Sequence, residues 1–317
     1  MMWREFKALG TDIIFFLPAV SEPDKILTAA EKEVLDFEKR FSRFVADNEL
    51  NAFNDSWQAE IEVTETMAEL LRLAKYYYLK TGGVFDPTII GSLEEIGYDK
   101  NFLDLEMSDI SAASKKLDLK KIQTEFAARS KMETLKIVGR QIFRPRGFRL
   151  DLGGFAKGYI VDLLGATVFG GVKNFLISAG GDIWAVGNQE GAKGWDVAVQ
   201  NPLTPEENIF FLNTRGERLG IATSGVLERA WQKGNFKAHH IIDPSSGLPA
   251  ENNILSVTVI SADAVKADIY AKTVLILGIE KGLEFIEQEK DSACIIFTKE
   301  QGTIFSKRAN NYLKEQK

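Results

Sequence analysis

Apolar positions along this chain recur with two different periods, and the changes between them mark out the elements. Thr11-Asp-Ile-Ile-Phe-Phe-Leu17 is a short apolar run closed by Pro18, which predicts a strand. From Ser21 to Phe41, Ile26, Ala29, Ala30, Val34, Phe37 and Phe41 return at intervals of three and four, the pattern of an amphipathic helix. Thr66 followed by Glu69 predicts a capping box, opening a helix through Leu70, Leu71, Ala74 and Tyr78 that ends at Gly82-Gly83. Residues 103–132 are polar with weak periodicity and predict short helices with exposed connections.

Alternation then takes over. Residues 134–152 carry two alternating segments about Gly139, a hairpin pattern. Phe175-Leu-Ile-Ser178 and Trp195-Asp-Val-Ala-Val-Gln200 predict strands, and Cys294-Ile-Ile-Phe297 with Thr303-Ile-Phe305 predicts a closing hairpin about Glu300-Gln-Gly302. Helical and alternating segments are mixed along the chain, with no repeat and no linker. The expected fold is therefore α+β, one domain over residues 1–317.

The composition narrows the choice of function. With 317 residues, 45% hydrophobic and 26% charged, the chain has ample material for a core. Its single cysteine, Cys294, excludes an internal disulfide and a multi-cysteine metal site, and reads as a buried strand residue. A net charge of −6 argues against nucleic-acid binding; Arg140, Arg144, Arg146 and Arg149 are interrupted by Phe143, Pro145 and Phe148 and read as exposed strand positions. No apolar stretch is long enough to span a membrane, and Met1-Met-Trp-Arg-Glu-Phe6 shows neither a signal-peptide core nor a lipid-anchor cysteine. A cytoplasmic location is expected.

Candidate chemistry gathers at three places. The only two histidines, His239 and His240, sit on a predicted strand from Ala238 to Ile242 that runs into the turn Asp243-Pro-Ser-Ser-Gly247. Strand alternation sends them to opposite faces, so at most one can serve a given site; the other reading is one surface and one buried structural histidine. Asp151-Leu-Gly-Gly-Phe-Ala-Lys-Gly158 joins a strand to a helix from Tyr159 to Phe169. Unpaired N–H groups and the positive helix end suit a phosphate there, with Lys157 adding a full charge, although such turns also serve purely structural ends. The spacing fits neither the P-loop nor the dinucleotide fingerprint. Asp268 and Lys272 stand four apart on one helix face, as a site pair or as a solvent-exposed ion pair.

The order of the motifs says more than any one of them. Leu9-Gly-Thr11, Phe41-Ser-Arg-Phe44, Gly83-Val-Phe-Asp-Pro87, Asp151-Leu-Gly-Gly-Phe-Ala-Lys-Gly158, Ala179-Gly-Gly-Asp182, Ile221-Ala-Thr-Ser-Gly225, His240-Ile-Ile-Asp-Pro244 with Gly247, Ser256-Val-Thr-Val259 and Ala267-Asp268 follow one another along the chain. This series resembles the ApbE family of FAD:protein FMN transferases nearly end to end. The resemblance implies a single mixed α/β catalytic domain with a flavin cleft between sheet-containing lobes. It implies an enzyme that splits the FAD pyrophosphate, attaches FMN through a phosphoester to a Thr or Ser hydroxyl of an acceptor redox protein, and releases AMP. It places flavin contacts on Leu9, Val84, Phe85, Asp86, Asp151, Lys157 and Ile242. Magnesium would be held by the Gly154 carbonyl, by Asp268 and by the residue four positions later.

At that last position the chain departs from the family, where threonine is common: it has Lys272, which cannot ligate magnesium while protonated. Thr273 is rotated roughly 140° from Asp268 around a helix and is a poor substitute. Within the resemblance, Lys157 and the glycine-turn amides would bind phosphate, and Asp268 would hold the metal. His240 would accept the acceptor's proton, Thr223 and Ser224 would line the same cleft, and Lys272 would reach the pyrophosphate. Two other outcomes share these residues: a pyrophosphatase yielding FMN and AMP, or an FAD-binding protein with impaired turnover.

Overall fold

The computed structural model describes residues 1–18, 20–100, 117–129, 131–233, 236–300 and 302–314. Backbone contacts divide the chain into two compact units, one of Met1–Glu38, Phe155–Leu227 and Asn252–Lys317, the other of Lys39–Gly154 and Glu228–Glu251.

The first unit is built on an eight-stranded sheet: β1 (Met2–Ala8), β2 (Thr11–Leu17), β3 (Phe175–Ala179), β4 (Asp182–Val186), β5 (Leu219–Gly225), β6 (Ile254–Ser261), β7 (Ala293–Thr298) and β8 (Gly302–Phe305). Every neighbouring pair is antiparallel, and the strands lie side by side in chain order. Strand alternation gives the sheet two apolar faces. On one, Leu176, Ile183, Ile221, Ile260 and Ile295 pack with Val197, Val199 and Leu212 of the hairpin Asp196–Gln200 and Asn208–Asn213. Helices α2 (Ala156–Ala166) and α3 (Ala264–Leu277) pack on the sheet as well, and α1 (Pro23–Phe41) buries Leu27, Ala30, Val34 and Phe37. Trp184, on the face opposite Ile183, lies so close to α2 that a Cβ on Gly165 would come within 2.5 Å of its ring.

The contact between α2 and α3 places the chemistry. At Gly158 of α2 a Cβ would fall 2.8 Å from the Ala264 carbonyl oxygen and 2.8 Å from the Val265 Cα, so only glycine lets α3 approach this closely. Asp162, one turn further along α2, then accepts from the backbone N–H groups of Ala264 and Val265, both at 2.8 Å. A carboxylate at the positive end of α3 is favourable, and it joins Asp263, the N-cap of that helix, which accepts from the Lys266 N–H at 2.7 Å. Gly158 thus serves helix packing, and the helix begins at Ala156, three residues earlier than the predicted start at Tyr159.

In the second unit the predicted hairpin about Gly139 is present, Lys136–Val138 against Gln141–Phe143, with Glu60–Glu62 on the other side. The helix predicted from Thr66 runs Glu65–Lys80 and is capped by Thr64, whose side chain accepts from the Met67 N–H; the cap lies two residues before the predicted box. Arg144 corrects another expectation. It is 4% exposed in the loop after Gln141–Phe143 and donates to the carbonyls of Ser56, Gln58 and Phe148. Of the short helices expected over 103–132, Leu119–Ala128 is present, and 103–116 lies outside the described residues.

Candidate functional site

In the first unit paired charged side chains are concentrated around α2, α3 and the start of β4. Phe155 holds the N-cap of α2 and offers no side-chain acceptor where Ser, Thr, Asp or Asn would commonly close the helix. Lys157, in the first turn, donates through Nζ to Asp182 Oδ2. Asp182 enters β4 from the tight turn Gly180-Gly181, whose φ values of 61° and 88° suit the two central residues of a hairpin of this hand. On α3, Lys272 donates through Nζ to Asp268 Oδ1. The two pairs feel one another. Burial first, and then the Asp268 charge, raise the Asp182 carboxyl above the ordinary carboxylate range, while Lys157 and Lys272 pull it down. Asp182 Oδ1 and Asp268 Oδ2 are buried without a hydrogen-bond partner. Thr273 is excluded from this group, because its hydroxyl donates to the Ile269 carbonyl one turn back at 2.8 Å.

The β5 pair is divided by the sheet. Thr223 shares a cross-strand register with Thr258, their hydroxyls 2.8 Å apart, on the face of Ile221 and Ile183. Ser224 points to the opposite face, the one carrying Asp182, and its hydroxyl is buried without a partner. Leu9, at the β1–β2 turn, has a φ of 56°, a left-handed conformation costly for a residue with a Cβ, and its N–H donates to Glu38 Oε1 at 2.6 Å.

The second unit holds the other residues that the resemblance singles out. Asp86 is almost wholly committed to its own turn: Oδ1 accepts from the Thr88 N–H at 2.9 Å and the Thr88 hydroxyl at 2.6 Å, and Oδ2 pairs with Arg129. Val84 is half-buried and Phe85 is buried, its ring beside Gly154. Asp151 accepts from the Gly153 N–H at 2.8 Å and faces the Arg43 guanidinium at 3.5 Å, with that guanidinium lying over the rings of Phe44 and Tyr98. Ile242 is buried with Ile96, Tyr98 and Ala238.

The histidine strand is not continuous. Phe236–His239 and Ile242–Asp243 are separate strands, and the chain bends between them. His239 Nδ1 accepts from the Ile241 N–H at 3.3 Å, so Nε2 carries the proton and donates to the Ala250 carbonyl at 3.0 Å. Both ring nitrogens are spent on backbone, which makes His239 a structural neutral imidazole. His240 is half-buried at the bend.

Residues 9–296 match the family model described as the ApbE family. The chain belongs to the ApbE family. Among curated relatives, an FAD:protein FMN transferase of Salmonella typhimurium is 29% identical over 268 residues, covering 82% of this chain and 73% of that protein. One of Klebsiella pneumoniae is 35% identical over 162 residues, 50% of this chain and 49% of the other. The crystal structure of the ApbE protein of Thermotoga maritima has the same fold, with a TM-score of 0.86 at 23% identity over 99% of each chain. The ApbE motifs therefore sit on an α+β scaffold, as the sequence predicts.

Some of these charged partners were hidden in the sequence. Asp182 closes the turn Ala179-Gly-Gly-Asp182, and only the fold brings it to Lys157. Asp162, Arg43 and Arg129 are ordinary charged residues on helices or helix ends, and only the fold gives them partners.

A magnesium ion at Asp268 does not fit the side chains present. Among the described residues no three His, Cys, Asp or Glu side chains assemble as a metal-binding group. Two lysines and two aspartates already balance in charge, with one oxygen of each carboxylate taken by an ammonium. A charge about 4 Å from the Lys272 ammonium would meet a repulsion of roughly 4 kcal/mol per unit in surroundings of effective dielectric about 20, and twice that for a dication. Magnesium is usually held through one or two carboxylates with waters completing its octahedron, and here the Asp268 and Asp182 carboxylates are each already paired with an ammonium.

Proposed function

We propose that this chain is an FAD:protein FMN transferase. The acceptor hydroxyl oxygen of a Thr or Ser bonds to the FMN phosphorus of FAD, the phosphorus–oxygen bond to AMP breaks, and AMP leaves with the bridging oxygen. The observation that carries the reading is the Lys157–Asp182 pair at the open first turn of α2. It places a fixed cation beside helix N–H groups, the surroundings a pyrophosphate requires. Asp182 fixes the Lys157 Nζ in place, so that little reorganisation is needed when the anion arrives. Lys272, tied to Asp268, adds a second cation on the same unit.

The other roles follow from chemistry. Val84, Phe85 and Ile242 supply apolar surface for the isoalloxazine ring, and Asp151 and Asp86 set the turns that carry them. On the first unit, the left-handed turn at Leu9 is a separate candidate flavin contact. His240 accepts the hydroxyl proton, since His239 is already committed at both nitrogens. Ser224 shares the sheet face of Asp182, which favours it over Thr223 as a phosphate or ribose contact. Partners are FAD and a redox protein, or redox-complex subunit, presenting the Thr or Ser. No described helix is long and apolar enough to cross a membrane.

The test is product analysis. Purified protein is incubated with FAD and with a candidate redox protein that presents a threonine, and followed by intact-protein mass spectrometry and AMP chromatography. FMN on the acceptor with matching AMP is the expected result. Free FMN with AMP and an unmodified acceptor would make the chain a pyrophosphatase, and saturable FAD binding with unchanged FAD would leave it a binding protein. Absence of saturable binding at micromolar FAD overturns the whole reading.

A further inference from the structure

Lys272 stands one helical turn beyond Asp268 on α3, and the pair differs from an ordinary surface ion pair in its burial. The Asp268 side chain is 1% exposed and that of Lys272 14%, so water cannot take over the role of either partner. The Lys272 charge also reaches Asp182, which is held by Lys157. Lys157, Asp182, Asp268 and Lys272 therefore form one neutral, half-sheathed group on a single unit. Phosphoryl transfer needs positive charge beside the non-bridging oxygens, and an ammonium can supply it as well as a bound ion. A threonine at 272 would leave a buried carboxylate in want of a cation. This chain provides that cation covalently.

We infer that the Lys272 ammonium fills the place of a divalent ion at Asp268, so that FAD turnover by this chain is independent of magnesium. The inference rests on the FAD reaction proposed above and leaves its bonds unchanged: oxygen to phosphorus forms, phosphorus to the AMP oxygen breaks, and the hydroxyl proton passes to the base. Lys272 keeps its proton throughout and forms no covalent bond.

The experiment has two arms, so that it does not depend on turnover alone. In the first, metal-stripped full-length protein is assayed for AMP release with FAD and the acceptor over a magnesium series, against a chelator control. Wild-type rates are expected to change by less than about twofold, and Lys272→Thr is expected to gain a magnesium dependence of at least about tenfold. Lys272→Arg keeps the charge and is expected to stay metal-independent, which covers the case of a Lys272→Thr protein that does not fold. In the second arm, Mn²⁺ is titrated into the same proteins and followed by electron paramagnetic resonance; wild type is expected to leave it free, and Lys272→Thr to bind it. Wild-type turnover that collapses on chelation and returns with magnesium overturns the inference, as does Mn²⁺ binding by wild type that Asp268→Asn abolishes. Should FAD bind without turnover under every condition, the transferase reading fails and the Mn²⁺ titration alone decides this one.

Discussion

At the scale of single residues, two adjacent histidines differ in their settings: His239 bonds backbone through both ring nitrogens, and His240 stands half-buried at the bend. His239 stitches the Ile241 N–H to the Ala250 carbonyl through a neutral ring, so His239→Ala should cost about 1–3 kcal/mol of stability through lost hydrogen bonds while FAD turnover persists. His240→Ala should slow transfer by about 10²-fold or more with little change in melting temperature, as for loss of a general base. Urea unfolding and AMP release, run on both variants, check the contrast; equal mild effects would reduce His240 to a structural part. Arg144 poses a different case, since one guanidinium serves three backbone carbonyls. Arg144→Met should destabilise by about 3 kcal/mol or more, because the stranded acceptors have lost their donor. A change below about 1 kcal/mol would mean that water replaces it. Arg144 was misread from sequence because alternation with Phe143 and Pro145 says nothing of carbonyls brought in from residues 56 and 58.

At the scale of elements, the periodic segments were legible and their joints were not. The amphipathic stripe of α1 was visible, although Leu27 is buried and Ala29 is exposed, the stripe being set by the neighbours it meets. The cap at Thr64 was missed because a box at Thr66 and Glu69 satisfies the same local pattern. The docking of α3 on α2 through Asp162 had no local pattern at all, since its acceptors and donors are a hundred residues apart in the chain. That joint has a pH signature. Burial first, and the Asp263 charge second, push the Asp162 carboxyl from 3.8 up to about 7, against the pull of its two N–H donors. Between those values the folded protein holds a proton that the unfolded chain has released, so stability should fall as pH rises through about 7. Asp162→Asn should flatten that part of the curve. Denaturant unfolding across the range measures both, and an unchanged slope in the variant would remove Asp162 as its source.

At the scale of the whole molecule, strands that are neighbours in the sheet can be remote in the chain: β2 ends at Leu17 and its partner β3 begins at Phe175. The sequence revealed the apolar runs of β2, β3, β7 and β8, but β1 escaped notice because Arg4 stands on the face of Phe6 and Ala8 and Trp3 on the face of Glu5 and Lys7, which blurs its alternation. β6 alternates over Leu255-Ser-Val-Thr-Val259 yet is buried at all eight positions, so its polar residues do not mark a solvent face. The division into two units was equally silent, since one boundary, between Glu38 and Lys39, falls inside α1 without any change of composition. The sheet order carries a consequence for the N-terminus. Ile13, Phe15 and Leu17 are buried, and β2 closes the hydrogen-bonding edge of β3 from Leu176 to Ala179. Deleting residues 1–17 should therefore remove about 5 kcal/mol or more of apolar burial and bare a short, apolar strand edge, the kind that pairs with other chains. Size-exclusion chromatography should show the variant shifted to aggregate relative to the full chain, together with a lowered melting temperature. A deletion variant that elutes and melts as the full chain does would show that β1 and β2 are an appendage, and that the sheet is complete without them.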